Sequence, residues 1–345
     1  MKAGYDSFIK SVTNAIWKEG GTAIINLEEI KTAERRLKGV INRTRLDYSN
    51  TLSKISGNEV YLKPENLQKT GSFKIRGAVN HIFHIDKEKG RRGVITASSG
   101  NHGQAVAYAA ALAGYPATVV VPENASSVKV AAARAYGAEI VYCGKVSTQR
   151  RSKALELAAE KGFSYIHGFD DPYVISGQGT IGLEILQDLT DADIVLVPVG
   201  GGGLISGIAT AIKESKPKVK IIGVEPIMSN SMFLSLKAGR ITELNTINTI
   251  ADGLRSNKPG KLTFPTVQRY VDDIFLVTEE EIKTALITIL ERGKILAEPS
   301  GAVTVAAVLA GKIYYQHKKI VAVISGGNIE LNMVAKLIAS NCYII

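Results

Sequence analysis

Cysteine is nearly absent: the 345 residues hold two, Cys143 and Cys342. They lie far apart, and neither has a second cysteine at metal-ligand spacing. That excludes a disulfide framework and a cysteine-rich metal centre. A reducing, cytoplasmic setting is the simplest expectation. Long apolar runs are missing too. The stretch MKAGYDSFIKSV has no continuous apolar core of the kind a secretory signal needs, and no segment reaches membrane-spanning length. The net charge is +10, yet no long basic tract carries it. The pairs Arg35-Arg36, Arg91-Arg92, Arg150-Arg151 and Lys318-Lys319 are scattered, which is the pattern of a solvated surface rather than a nucleic-acid face. No linker or low-complexity tract divides the chain. A domain boundary must therefore be a crossing of the chain and not a hinge segment.

What is present is apolar residue and glycine. Hydrophobic residues make up 45% of the chain and 33 residues are glycine, enough for one large or two modest domains with many turns. From about residue 93 the sequence alternates β-rich and helical segments. TVVVP, EIVYC, FSYIHGF, DIVLVPV, KIIGVE, DIFLV and KIVAVIS read as strands. VKVAAARAYG, STQRRSKALELAAEKG, GTIGLEILQDL and IKTALITILERG read as helices, the first two closed by Gly137 and Gly162. Thr278 followed by three glutamates is a capping-box pattern ahead of the helix IKTALITILERG. Near-continuous apolar strands joined by helices of this kind belong to parallel sheets covered on both faces. The fold class is α/β, doubly wound.

Three kinds of segment carry chemistry. In KTGSFKIRGAV, Lys74 stands between Phe73 and Ile75. Apolar neighbours desolvate an amine, lower its pKa and leave it able to attack a carbonyl. A lysine taken alone is an ordinary surface group, so the other segments decide. DIVLVPVGGGGLISGIATAIKES is a strand, four glycines and a helix. Glycines let backbone N–H groups approach an anion, and the helix start adds partial positive charge, which makes a phosphate cup. The same stretch admits a dinucleotide reading through Gly201, Gly203 and Gly207, with Glu225 ending the next strand. That reading gives a nicotinamide-dependent oxidoreductase but leaves Lys74 unused. The third kind is a polar turn after a strand. VITASSGNHGQAV sets Ser98, Ser99, Asn101 and His102 at a helix start suited to a carboxylate. VAVISGGNIEL and EPSGAV are similar turns. In parallel sheets the carboxyl ends of strands share one crevice. A phosphate cup, a carboxylate turn and a Schiff-base lysine meeting there ask for a ligand with both phosphate and aldehyde.

SFKIRGA, SSGNHGQ, VGGGGL and SGGN, in that order, resemble the fold-type II pyridoxal-phosphate enzymes, and among them the threonine dehydratases and serine racemases. The resemblance runs from about residue 30 to about residue 335. It implies pyridoxal 5'-phosphate as cofactor, held in the cleft between two doubly wound open-sheet domains. The large domain would be residues 1–92 and 171–345, and a small mobile domain residues 93–170. It implies Lys74 as the Schiff-base lysine, Phe73 beside the pyridine ring and Asn101 at the 3-hydroxyl. Gly200, Gly201, Gly202, Gly203 and the N–H of Leu204 would hold the phosphate, and Ser325 would sit at the ring nitrogen. Ser99, Asn101 and His102 would hold the substrate carboxylate, with Ser99 also a proton carrier on the face opposite Lys74. The reaction implied is L-threonine to 2-oxobutanoate and ammonia, with serine also accepted. Serine racemase is the alternative. HGFDDP resembles the dehydratases' usual H-P-F-D-D-P, with Gly168 as the departure. Ser231 stands where the racemase pattern has an acid to partner Glu225 at a divalent ion, so no metal is expected. The end soon after SGGN resembles the short form without a regulatory domain. Such enzymes are homodimers or homotetramers that take a small hydroxy amino acid, with no nucleic acid or membrane as partner.

Overall fold

Alternation of β-rich and helical segments yields ten strands among the residues that the computed structural model describes, 25–98, 100–125 and 127–340. They are β1 (Asp47–Tyr48), β2 (Glu59–Pro64), β3 (Val94–Ala97), β4 (Ala117–Val121), β5 (Glu139–Tyr142), β6 (Ser164–Tyr165), β7 (Ile194–Pro198), β8 (Lys220–Pro226), β9 (Asp273–Val277) and β10 (Lys319–Ile324). Six form one sheet in the order β1-β2-β10-β7-β8-β9, and four form a second in the order β5-β4-β3-β6. Every pair is parallel except β1 with β2, which runs antiparallel. That exception departs from the all-parallel expectation. Only the short helix Asn50–Ser56 joins the two strands, and β1 is an exposed two-residue edge with no sheet face to cover.

The larger sheet shows why its strands are apolar throughout. Successive side chains point to opposite faces. Ile194, Leu196, Ile222, Val224, Ile320 and Ala322 pack on one face with the helices Glu279–Thr288 and Pro299–Leu309. Val195, Val197, Ile221, Val321 and Val323 pack on the other with the helices Pro172–Asp188 and Gly203–Ser215. With both faces covered, no position along a strand can be polar without a buried partner. The smaller sheet repeats the plan. Val94, Val119 and Val121 meet the helices Asn101–Ala113 and Ser127–Ala135, while Ile95 and Val120 meet Ala154 on the helix Ser147–Lys161.

The helix Lys74–Ile82 lies between the two units. Its Ile75, Ala78, Val79 and Ile82 enter the core of the smaller sheet. It also crosses the helix Pro172–Asp188 so closely that a Cβ on Gly177 would sit 2.7 Å from the Arg76 carbonyl oxygen. The capping box at Thr278 and Glu281 forms in both directions, and Gly137 and Gly162 take left-handed φ of 87° and 68° at their helix ends. β6 is shorter than FSYIHGF suggested. After Tyr165 the chain leaves the sheet through His167 to Asp171, where Asp171 accepts the Val174 N–H at 2.9 Å and starts the next helix at Pro172.

Candidate active site

The carboxyl ends of β2, β3, β6, β7 and β10 lead into the segments that sequence reading singled out. β2 leads through Glu65 to Lys74, the first residue of its helix. That helix is pinned by a buried ionic group in which Lys63, Glu65 and Arg76 are fully enclosed. Arg76 pairs with Glu65 (Nε to Oε2, 2.7 Å) and with Glu184 (Nη1 to Oε1, 2.7 Å), and Glu184 also takes Lys63 Nζ at 2.6 Å. Two cations and two carboxylates balance there. Burial alone would push the Glu65 carboxyl up, but Arg76 and Lys63 hold it below its ordinary value.

Lys74 begins where this anchoring ends. Its Nζ donates to the Gly168 carbonyl at 2.7 Å and lies 5.0 Å from the Phe73 ring centroid. Burial brings its amine down to about 8, against the pull of the Glu298 carboxyl. The departure Gly168 thus supplies the carbonyl that receives the lysine. Next to it, Phe169 lies over the glycine run: a Cβ on Gly201 would be 2.5 Å from its ring, and one on Gly203 would be 2.8 Å from its Cβ. Gly202 takes φ 95°, which no β-carbon-bearing residue adopts cheaply. The glycines therefore pack tightly on one side. On the other, the N–H groups of Gly200, Gly201, Gly202, Gly203 and Leu204 have no hydrogen-bond acceptor among the described residues. Five successive free donors at the start of the helix Gly203–Ser215 make an anion cup.

β3 leads to the helix Asn101–Ala113, whose start has no side-chain cap. Ser99 lies outside the described residues. The His102 ring turns inward, with Nε2 3.1 Å from the Ile166 carbonyl oxygen. Burial, and then the Lys74 charge, hold its imidazole down at about 3, so it is neutral. Its ring is not offered to the turn; its backbone N–H is what remains. Asn101 has two side-chain partners. Its Nδ2 donates to Glu298 Oε1 at 2.7 Å, and its Oδ1 accepts from Asn328 Nδ2 at 2.9 Å. Ser325, just after β10, is buried, with Oγ 3.4 Å from the Ser300 carbonyl oxygen, while its own carbonyl accepts the Phe73 N–H at 3.0 Å. So Phe73, Lys74, Asn101 and Ser325 are brought into one neighbourhood through Glu298, Asn328 and Gly168.

Sequence reading assigned no role to Glu298, Asn328 or Arg76. The first two sat inside quoted turns, and their signal was the glycines around them. A Cβ on Gly71 would lie 2.4 Å from Asn328 Oδ1, and one on Gly326 would lie 2.6 Å from Glu298 Oε1. Both glycines make room for a polar side chain. Glu225 proves to be spent elsewhere. Fully buried, it accepts the N–H groups of Met232 and Phe233 at 3.0 and 2.8 Å and caps the helix Ser231–Ala238. Gly207 lies in a helix crossing, 2.3 Å from the Ile175 carbonyl oxygen by its missing Cβ. The acid at the end of β8 is therefore not free for a ribose, and Gly207 serves helix packing, so of that reading only the anion-binding glycines Gly201 and Gly203 remain.

A partly desolvated amine beside a cup of free N–H donors fits an aldehyde that carries a phosphate. The family described as pyridoxal-phosphate dependent enzymes matches residues 37–326, and this chain belongs to it. Among curated proteins it is 50% identical to the L-threonine ammonia-lyase of Thermotoga maritima, over 91% of this chain and 78% of that protein. It is 44% identical to the catabolic L-threonine dehydratase of Escherichia coli, over 91% of this chain and 96% of that one. Among solved structures, maize serine racemase matches with a TM-score of 0.88 at 38% identity, covering 92% of this chain and 98% of its own. The processed form of threonine deaminase isoform 2 from Solanum lycopersicum matches with a TM-score of 0.85 at 37% identity, covering 92% and 96%.

Proposed function

We propose that this chain is a pyridoxal-phosphate-dependent lyase that converts L-threonine to 2-oxobutanoate and ammonia by α,β-elimination and also accepts serine. One observation carries the reading: the lowered amine of Lys74 is linked through Gly168 and Phe169 to the free N–H groups of the glycine run. The identity to threonine ammonia-lyases over most of the chain supplies the substrate class.

Pyridoxal phosphate, when bound, supplies an electron sink for the substrate α-carbon. The chain does the rest. The N–H groups of Gly200 to Leu204 would hold the phosphate. Phe73 would flank the ring, Asn101 would donate to the 3-hydroxyl, and Ser325 would offer the ring nitrogen a neutral hydroxyl, which does not hold that nitrogen protonated. The N–H groups at the start of the helix Asn101–Ala113, with the Ser99 hydroxyl, hold the substrate carboxylate. Lys74 Nζ takes the α-proton. With its amine at about 8, roughly a tenth is neutral at pH 7. Ser99 carries a proton on the opposite face. The strands β3 to β6 and their helices, residues 93–170, act as a small mobile domain against residues 1–92 and 171–345. The protein works in the cytoplasm as a homodimer or homotetramer.

Serine racemisation is the second reading, favoured by the likeness to maize serine racemase. Two measurements decide. The purified protein should be yellow, and borohydride followed by mass spectrometry should find the reduced adduct on Lys74. Incubation with L-threonine and L-serine should yield oxo acid well in excess of D-enantiomer. An adduct on another lysine would overturn the site, and D-serine as main product would overturn the reaction.

A further inference from the structure

The amide orientations around Asn101 follow from one carbonyl. The Thr70 backbone oxygen can only accept, so Asn328 must turn its Nδ2 toward it, at 2.8 Å. The same Nδ2 reaches Asn101, which must then present Oδ1. That leaves Asn101 Nδ2 to face Glu298 Oε1. The order is not reversible, because the first acceptor has no proton to give. The series ends on a carboxyl that is 3% exposed and whose Oε1 would touch a Cβ on Gly326. It spans both sheet units: Asn328 follows β10, Asn101 starts the helix after β3, and Glu298 precedes the helix Pro299–Leu309.

We propose that Glu298, aimed by Asn328 and Asn101, is the positioning residue that sets the charge of Lys74. The inference rests on the reading of Lys74 as the cofactor lysine. The charged groups acting on Glu298 are Asp252, Lys129 and Lys74. Lys129 and Asp252 pair with each other at the rim, one from the helix Ser127–Ala135 and one from the segment before Leu254. Lys74 is thus the interior cation acting on Glu298, and the carboxyl lies against the lysine's own segment: the Cβ position of Gly326 is 2.6 Å from Glu298 Oε1 and 3.1 Å from the Cβ of Ser72, two residues before Lys74. His102 and His167, which also feel the Lys74 charge, are held neutral by burial. Burial raises the Glu298 carboxyl to about 8, and Asp252 adds to that, while Lys129, the Asn101 amide and Lys74 oppose it. Amine and carboxyl therefore change charge in the same pH range. An ionised Glu298 keeps Lys74 protonated. A protonated Glu298 releases it to be neutral, as its attack on an aldehyde requires.

The test is the pH dependence of Lys74 acetylation by acetic anhydride in the full-length protein freed of cofactor, read by mass spectrometry. In the parent the midpoint should lie near 8. Glu298→Gln keeps an oxygen for Asn101 but removes the charge, so the midpoint should fall by about one pH unit. Asn328→Ala should move it in the same direction by less. Glu298→Asp, with a shorter carboxylate, should fall in between, and it serves if the glutamine variant loses its native circular dichroism. With L-threonine as substrate, the acid limb of kcat/KM should move down with the midpoint. An unchanged or raised midpoint in folded Glu298→Gln overturns the proposal. Failure of the cofactor reading appears separately, as a borohydride adduct away from Lys74.

Discussion

Arg76→Met tests whether the ionic group behind Lys74 holds the site together. Methionine matches much of the arginine volume, so packing loss is small and the charge effect dominates. Removing the guanidinium strips Glu65 of both its bonds to Arg76, at 2.7 and 2.8 Å, and leaves it only Thr44 Oγ1 at 2.5 Å. Glu184 keeps Lys63. Breaking a buried pair by deleting one partner costs about 3–5 kcal/mol, because a carboxylate is stranded without water. An unfolding entropy of about 2.1 cal/mol/K per residue gives roughly 0.7 kcal/mol/K for this length, so the melting temperature should drop by about 4 to 7 °C. The pH dependence is diagnostic. In the parent the Glu65 carboxyl lies below its ordinary value. Its contribution is present above the unfolded pKa and is lost as pH falls through the folded one. In the variant that carboxyl is raised, so its burden grows as pH rises. The gap between parent and variant should therefore narrow from pH 8 toward pH 4.5, as read by urea denaturation at each pH. Adding Glu65→Gln to the variant should recover part of the loss at pH 8. A gap under about 1 kcal/mol, or one that does not change with pH, would refute the charge argument.

Two further outcomes bear on the site. Gly201→Asp puts a side chain where Phe169 lies and a negative charge beside the free N–H groups. Cofactor affinity by fluorescence titration should fall at least a hundredfold with circular dichroism kept, and unchanged affinity would mean that the glycine run serves packing alone. Ser99→Ala should abolish any D-serine formation and the dehydration of D-serine, while dehydration of L-threonine persists at a reduced rate. Racemisation at the parent rate would remove Ser99 from its proton-carrying role.

Much of the fold was legible because buried parallel strands have no polar face. DIVLVPV and KIVAVIS could be nothing but two-sided strands, and they lie side by side as β7 and β10. Helix ends were legible where a glycine had to turn left-handed, as at Gly137 and Gly162. β1 escaped notice because a two-residue edge strand has no periodicity to reveal it. β6 was overextended because His167 to Phe169 continue the apolar look of a strand while their backbone turns to receive Lys74.

By itself the sequence marked a backbone suited to an anion and a lysine set among apolar residues. Both depend on residue type and short spacing: glycines after a strand, and an amine between apolar neighbours. Only the tertiary structure decided what those groups are tuned by. Glu298 lies 197 positions from Asn101, and Asn328 lies 227 from it, yet they share hydrogen bonds. Arg76 meets Glu184 across 108 positions. A buried charge takes its energy from whatever faces it in space, and no local pattern records a partner brought in by a different sheet.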